Sequence, residues 1–354
     1  MVNCHHNFYR VTIAVMKKLL PVLKLFYKRV KPYLRWLILA LTLAFILHSL
    51  RVNWQQVLTL RFTTYAIAKL LLALGVTLAA HVWSGWLWYG IMRSLGASVP
   101  PTWTIVTYLK TNLGKYLPGN IWHFVGRIKF LRDYGTPTGI AITGVVLEPL
   151  LMAVAALTVV LISLPSTVLQ LAILIAVLVA LHPRLLNPLL SRLAQAKLKQ
   201  AGEYQAAGVQ STATMPKLNH YLWRPLLGEL GFVFFRGLGF ILCFLALNSA
   251  SPNDMWVLVG AFSFGWLLGL VVPGAPGGLG VFEATVLAVL TPRFPAAIVL
   301  GTVALYRLNG TLAELLGAAL AVVDERWNAA IARRTAPSID NLERSLPQLP
   351  AGDG

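Results

Sequence analysis

Apolar residues in this chain come in long unbroken runs, not in alternation. Such runs cover residues 34–50, 66–91, 138–163, 167–182, 225–249, 255–273 and 295–323, with a shorter one over 279–291. About 20 apolar residues in a helix cross a hydrocarbon core of about 30 Å. The pattern therefore predicts an all-α polytopic membrane bundle of about eight spans. Two places break it. Between two apolar runs stands Val271-Val272-Pro273-Gly274-Ala275-Pro276-Gly277-Gly278-Leu279-Gly280-Val281-Phe282-Glu283, with two prolines, four glycines and a carboxylate. A second Pro-Gly step, Pro118-Gly119, lies in Lys115-Tyr116-Leu117-Pro118-Gly119-Asn120-Ile121-Trp122-His123-Phe124-Val125-Gly126-Arg127. Proline has no amide hydrogen to donate and glycine holds a helix poorly. In hydrocarbon such backbone survives only under cover of protein or beside water. Paired breaks of this kind point to a binding site in membrane transporters. The stretch 93–137 reads as a re-entrant hairpin entering from the cytoplasmic side, rimmed by Lys110, Lys115, Arg127, Lys129 and Arg132. The paired breaks also raise an internal duplication, parallel or inverted.

Outside the spans the pattern changes. Val11, Val15, Leu19, Val22, Phe26 and Val30 recur at helical spacing among lysines and arginines. That predicts a basic amphipathic cytoplasmic segment over 1–33, lying on the membrane surface. A polar stretch over 194–220 predicts a flexible part of a cytoplasmic loop at about 183–224. Residues 324–354 read as a cytoplasmic tail, disordered after about 335.

Composition agrees with a membrane protein: of 354 residues 57% are hydrophobic and 12% charged. The formal net charge of +18 raises nucleic acid as a partner, but its distribution points elsewhere. With a cytoplasmic N-terminus, the basic residues concentrate in cytoplasmic segments, and the outer loops hold only Arg51, Arg61 and Arg293. Insertion orients chains in that way, and anionic lipid attracts the same residues. No nucleic-acid motif accompanies the charge, so no nucleic-acid partner is expected. Cys4 and Cys243 are the only cysteines. One lies in the N-terminal segment and one in a span, which excludes a disulfide framework and a zinc site. No metal and no cofactor is expected. The basic start, with no small-residue cleavage site after the first span, does not read as a cleaved signal peptide.

Candidate chemistry lies within the spans. Glu148, Glu229, Arg236, Glu283, Arg307 and Glu314 all fall there, and each costs about 2.5–3.5 kcal/mol at the centre of a lipid-facing helix. They must face the interior, pair, or line water. Glu229 and Arg236 are two helical turns apart, as are Arg307 and Glu314, about 10.5 Å along one face. Two readings stand side by side: interhelical ion pairs that fix the bundle, and a polar path for a charged headgroup. Guanidinium binds phosphate bidentately, which suits Arg236 and Arg307, with Arg127 at the rim. Glu148 and Glu283 then face an ammonium group or carry a proton. Lys69 reads as snorkelling to the outer interface, and His81 as a packing or hydrogen-bonding residue. Gly265 and Gly269 form a small-xxx-small face for close packing. Trp83, Trp86, Trp88 and Tyr89 read as an interfacial belt.

The run from Pro273 through Gly274, Pro276, Gly277, Gly278 and Gly280 to Glu283 resembles the signature of the lysylphosphatidylglycerol synthase/flippase transmembrane-region family. Leu117-Pro118-Gly119 with Gly126-Arg127, and Tyr306-Arg307, are similar to its other recurring positions. The resemblance covers roughly residues 35–325. It implies a bacterial plasma (inner) membrane protein with cytoplasmic termini that moves or binds a phospholipid with an anionic or aminoacylated headgroup. Synthases of that family add a large soluble aminoacyl-transferase domain after the spans; about 30 residues follow Val323 here, so only the flippase-like part is implied. The competing expectations are an ion-coupled secondary transporter of a small polar solute and a non-catalytic accessory protein of a lipid- or glycan-modifying enzyme. No nucleophile arrangement or nucleotide loop supports an enzyme. The partners expected are membrane phospholipids, with a homo-oligomer or a partner enzyme left open.

Overall fold

The computed structural model describes residues 63–116, 121–163, 168–202, 216–272 and 276–335, together with Arg51. The expected span 34–50, the amphipathic segment 1–33, Pro118, Gly119, Pro273, Gly274 and the tail beyond residue 335 lie outside the described residues. The described residues contain helices and no strand: α1 Thr64–Ser94, α2 Pro101–Asn112, a 3-10 turn Leu113–Tyr116, α3 Trp122–Asp133, α4 Thr138–Ser163, α5 Val168–Ala180, α6 Pro183–Gly202, α7 Trp223–Leu247, α8 Pro252–Val271, a 3-10 turn Pro276–Gly278, α9 Val281–Leu290 and α10 Ala296–Thr335. This is the architecture of a multi-pass membrane protein. Among the described residues five helices are long and apolar enough to cross a bilayer: α1, α4, α7, α8 and α10.

The other expected spans take different forms. The run 167–182 is α5 alone, thirteen residues, followed by a bend of 74° into α6, so it makes a sixth crossing only if the bent pair counts as one. The bend falls at His182-Pro183, where the proline ring disfavours helical backbone in the residue before it. The run 279–291 is α9, ten residues long, which at 1.5 Å per residue covers about half of a bilayer core. The loop expected over 183–224 begins as a helix. Leu186 and Leu190, one turn apart, are buried, and α6 packs on α4. Asn187 of α6 accepts from the Leu218 amide at 2.9 Å and donates to its carbonyl at 3.1 Å, pinning the segment before α7. The tail expected from residue 324 also starts as helix, because α10 runs on to Thr335 through good helix formers with no glycine or proline.

Helix ends follow local chemistry. Thr63 Oγ1 accepts from the Ala66 amide at 3.2 Å and caps α1. Pro101 and Pro252 open α2 and α8, where a missing amide hydrogen costs nothing. Asp254 closes a capping box on Ser251, accepting from its amide at 2.7 Å.

α1 and α7 form the central pair and run antiparallel. Lys69, near the start of α1, donates to the Leu245 carbonyl near the end of α7 at 2.6 Å, and Trp83 donates to the Gly228 carbonyl at 2.9 Å. Lys69 thus binds a helix C-terminus and does not reach outward. Around this axis the contacts repeat. α1 packs on α10 as α7 packs on α4; α2 packs on α10 as α8 packs on α4; α3 packs on α4 as α9 packs on α10. α1 runs parallel to α10, since Asn309 bonds Leu70 and Glu314 meets His81. The halves α1–α4 and α7–α10 are therefore an inverted-topology repeat.

Glycines set the closest approaches. A Cβ on Gly265 would stand 3.0 Å from Phe282 and Val286, and one on Gly269 would stand 3.2 Å from Gly278 Cα. The small-residue face of α8 thus seats α9 and the turn before it. Gly277, Gly278 and Gly280 hold φ of 59°, 71° and 86°, a region that side chains disfavour. Trp88 is fully buried and belongs to the core, not to an interfacial belt, whereas Trp86 is half exposed.

Gly278 carries both constraints, because its Cβ would meet Gly269 Cα at 3.0 Å, while a Cβ on Gly277 meets nothing within 4 Å. Gly278→Ala is expected to cost about 2–3 kcal/mol and Gly277→Ala about 1 kcal/mol. Thermal unfolding of the two purified variants checks this; equal losses would contradict the close approach of α8 to the turn.

Candidate functional site

α2 and α3 form one helical hairpin, α8 and α9 another, and α10 shows where each reaches. The first hairpin has Lys110 paired with Glu325, then Lys115 with Glu314, then the Tyr116 hydroxyl 3.2 Å from Thr311 Oγ1. Its tip therefore climbs α10 from the C-terminal end. The second is joined at its base by Asp254 and Arg293, 2.6 Å apart just before α10, and its turn meets Arg307. It descends from the opposite end. Thr311 and Arg307 are one turn apart, and the two 3-10 turns pack against each other. Two interrupted segments thus enter the bundle from opposite ends and meet inside it.

Arg307 satisfies the broken backbone of the second turn. Its Nη1 donates to the Gly277 carbonyl and its Nη2 to the Gly278 carbonyl, each at 3.0 Å, while its Nε donates to Glu283. The other carboxylate oxygen of Glu283 accepts from the Gly280 amide at 2.6 Å. Carbonyls that helix would have satisfied are met by one planar fork of donors. Glu314, two turns along the same face of α10, takes Lys115 from the first turn and stands 3.4 Å from His81 of α1.

The first half has its own buried pair. Arg127 of α3 donates to Glu148 Oε2 of α4 at 2.5 Å, and Tyr108 donates to Glu148 Oε1 at 2.7 Å. Ser84 Oγ lies 2.7 Å from the Tyr108 hydroxyl, and the guanidinium stacks 3.8 Å from the Tyr108 ring centre and 5.4 Å from that of Trp88. The repeat relates this pair to Glu283–Arg307 with the charges exchanged: cation on α3 and anion on α4, anion on α9 and cation on α10.

Arg236 of α7 differs. It is buried, 4% exposed, and among the described residues no carboxylate lies within 4.0 Å of it. Its Nη1 is 3.4 Å from His81 Nε2, and its guanidinium carbon is 5.0 Å from the Trp266 ring centre and 4.9 Å from that of Tyr306. The Arg236 Nε–H, the Trp266 indole N–H and the Tyr306 hydroxyl all lack an acceptor among the described residues. Tyr306 is held from behind by Phe240, Phe262 and Phe282, with ring centres 5.4–5.7 Å away. Lys115 lies within the field of both Arg236 and Arg307. This central group therefore sets the basic side chains of Arg236, Arg307 and Lys115 against the carboxylates of Glu283 and Glu314.

Of the five side chains nominated from sequence for substrate contact, four lie in two closed ion pairs, Arg127–Glu148 and Glu283–Arg307, and Arg236 alone stands without an anion. Glu229 lies two turns before Arg236 on the same helix, within the field of the Arg127–Glu148 pair. Sequence reasoning missed Tyr108, Ser84 and Trp266 as site residues, since each reads as an ordinary core residue. Lys115 was placed on the rim, and the structure carries it inside on the tip of the first hairpin. Among the described residues no cluster of three metal-ligating side chains occurs. No protein-family model matches this chain, and no curated protein matches it as a relative.

Removing one member of a buried pair strands the other, at a cost of about 3–5 kcal/mol. Glu148→Gln is expected to destabilise by that order, and Arg127→Met combined with Glu148→Leu by less than either single change. A double-mutant cycle by thermal unfolding in detergent checks it; additive losses would rule out the pair.

Proposed function

We propose that this protein binds a phospholipid through an anionic headgroup and carries it between leaflets, in the manner of the lysylphosphatidylglycerol synthase/flippase transmembrane-region family that its motifs resemble. Arg236 carries the reading. A buried guanidinium without a carboxylate, ringed by unpartnered N–H and O–H donors, supplies what a phosphate oxygen needs. Lys115 and Arg307 add positive field beside it. Arg307, Glu283, Arg127 and Glu148 act as positioning residues, because their own bonds hold the hairpins that enclose Arg236.

The meeting of two hairpin tips supports movement over mere binding. A site reached past one tip or the other is open to either side in turn, and inverted repeats with interrupted helices provide two equivalent arrangements. The headgroup would occupy the polar interior while the acyl chains stay in lipid. A phosphate or carboxylate of a small solute has the same chemistry, so lipid and free anion are separate arms of one test.

In proteoliposomes, labelled anionic or aminoacylated phospholipid is expected to change leaflets faster with protein than without. Arg236→Ala should lower that rate about 10- to 100-fold, the loss of one or two charge-assisted hydrogen bonds. Parallel vesicles loaded with labelled inorganic phosphate or a small carboxylate form the second arm. Uptake there without lipid movement would assign the site to a solute, and an unchanged lipid rate in Arg236→Ala would remove the role given to this residue.

A further inference from the structure

Glu229 of α7 is fully buried, and neither of its carboxyl oxygens has a hydrogen-bond partner among the described residues. The charged groups that bear on it are Glu148 of α4 and Arg127 of α3. Those two are already joined to each other, and Glu148 also accepts from Tyr108 of α2. The remaining neighbours offer no cation. α1 faces this part of α7 with Trp83 and Leu87, which touch Gly228 and Gly231. The Arg307 and Glu314 of α10 are engaged with Glu283 and Lys115. α8 carries only Asp254, at its opposite end and bonded to Arg293.

One guanidinium is thus bonded to Glu148 and lies within the field of Glu229. If both were ionised, the trio would hold a surplus negative charge in a low-dielectric interior, and Glu229 would be the carboxylate with no donor. Burying such a group costs several kcal/mol, more than a surface pair returns. A single proton makes the trio neutral.

We propose that Glu229 is a proton-binding site, which carries its proton in this conformation and is the alternate carboxylate partner of Arg127. In the exchange the O–H bond on Glu229 breaks and an O–H bond forms on Glu148, while the guanidinium moves from Glu148 to Glu229. The trio remains neutral throughout, so the exchange carries no net charge through the bilayer. The proton is the cargo or the coupled ion; its chemical class is independent of which anion Arg236 receives, and this inference stands or falls without the translocation reading.

The test uses the full chain in lipid nanodiscs at neutral pH, read by infrared spectroscopy. A protonated carboxylic acid shows a carbonyl stretch that shifts in heavy water and that a carboxylate lacks. Glu229→Gln is expected to delete one such band and to leave the thermal midpoint unchanged, because the amide has the shape and charge of the neutral acid. Glu148→Gln removes the carboxylate bonded to Arg127, which Glu229 can replace only by giving up its proton, and should lower the midpoint. The band decides: no band lost in Glu229→Gln overturns the proposal. A Glu229→Gln chain that unfolds as readily as Glu148→Gln, or does not fold, overturns it as well, since that is the behaviour of an ionised, paired carboxylate.

Discussion

The architecture depends on how α10 holds two pieces of non-helical backbone. Residues 113–116 and 276–278 leave the α-helical ladder inside an apolar bundle, and every carbonyl released there needs a donor. Arg307 answers at one turn with three donors in a plane, two on carbonyls and one on Glu283. Seven residues on, Glu314 anchors the other turn through its Lys115 side chain. The spacing matters because two helical turns, about 10.5 Å, keep both side chains on one face. A rigid helix thereby fixes the distance between the tips of hairpins that come from opposite ends.

The same constraint separates structural charge from available charge. An ion pair buried in low dielectric is expensive to assemble and more expensive to break. The pairs Arg127–Glu148 and Glu283–Arg307 sit at equivalent places in the two halves with exchanged signs, which identifies them as the fastening of each hairpin to its following helix. Against that background the two exceptions stand out. Among the described residues Arg236 is a cation with unpartnered donors about it, and Glu229 is an acid without a donor. Both are on α7, two turns apart, and α7 lies on the repeat axis beside α1. The helix that takes part in neither fastening carries the groups left open.

The long helices were legible in sequence because apolar length is a local property. The runs over 66–91, 138–163, 225–249, 255–273 and 295–323 each mark a helix long enough to cross, and the Gly265/Gly269 face marks the seat of α9. Amphipathic continuations were read less well. α6 was taken for loop and the end of α10 for tail, since neither has the apolar length that identifies a span and each gains its helicity from propensity or from packing on a neighbour. The pairing of charges was not legible. Spacing placed Arg307 and Glu314 on one face and Glu229 and Arg236 on another, but which element faces each is a matter of tertiary arrangement. Tyr108, whose hydroxyl meets the Glu148 carboxylate, lies forty residues away from it and carries no pattern of its own.

The inverted repeat explains why breaks, charges and glycines occur in twos although the two segments share few residues. Each half must bring a short helix to mid-bundle, end it on non-helical backbone, and fasten it to the next long helix by one ion pair. Those requirements fix positions and leave side-chain identity free, even to the exchange of acid for base. They also set the energetic terms for a moving part. Sliding one hairpin along its fastening helix breaks a buried pair unless a second group takes over the stranded charge. In the first half Glu229 is the group proposed above to do so for Arg127. In the second half the guanidinium of the Glu283–Arg307 pair is also tied to two backbone carbonyls, with Lys115 and Glu314 beside it.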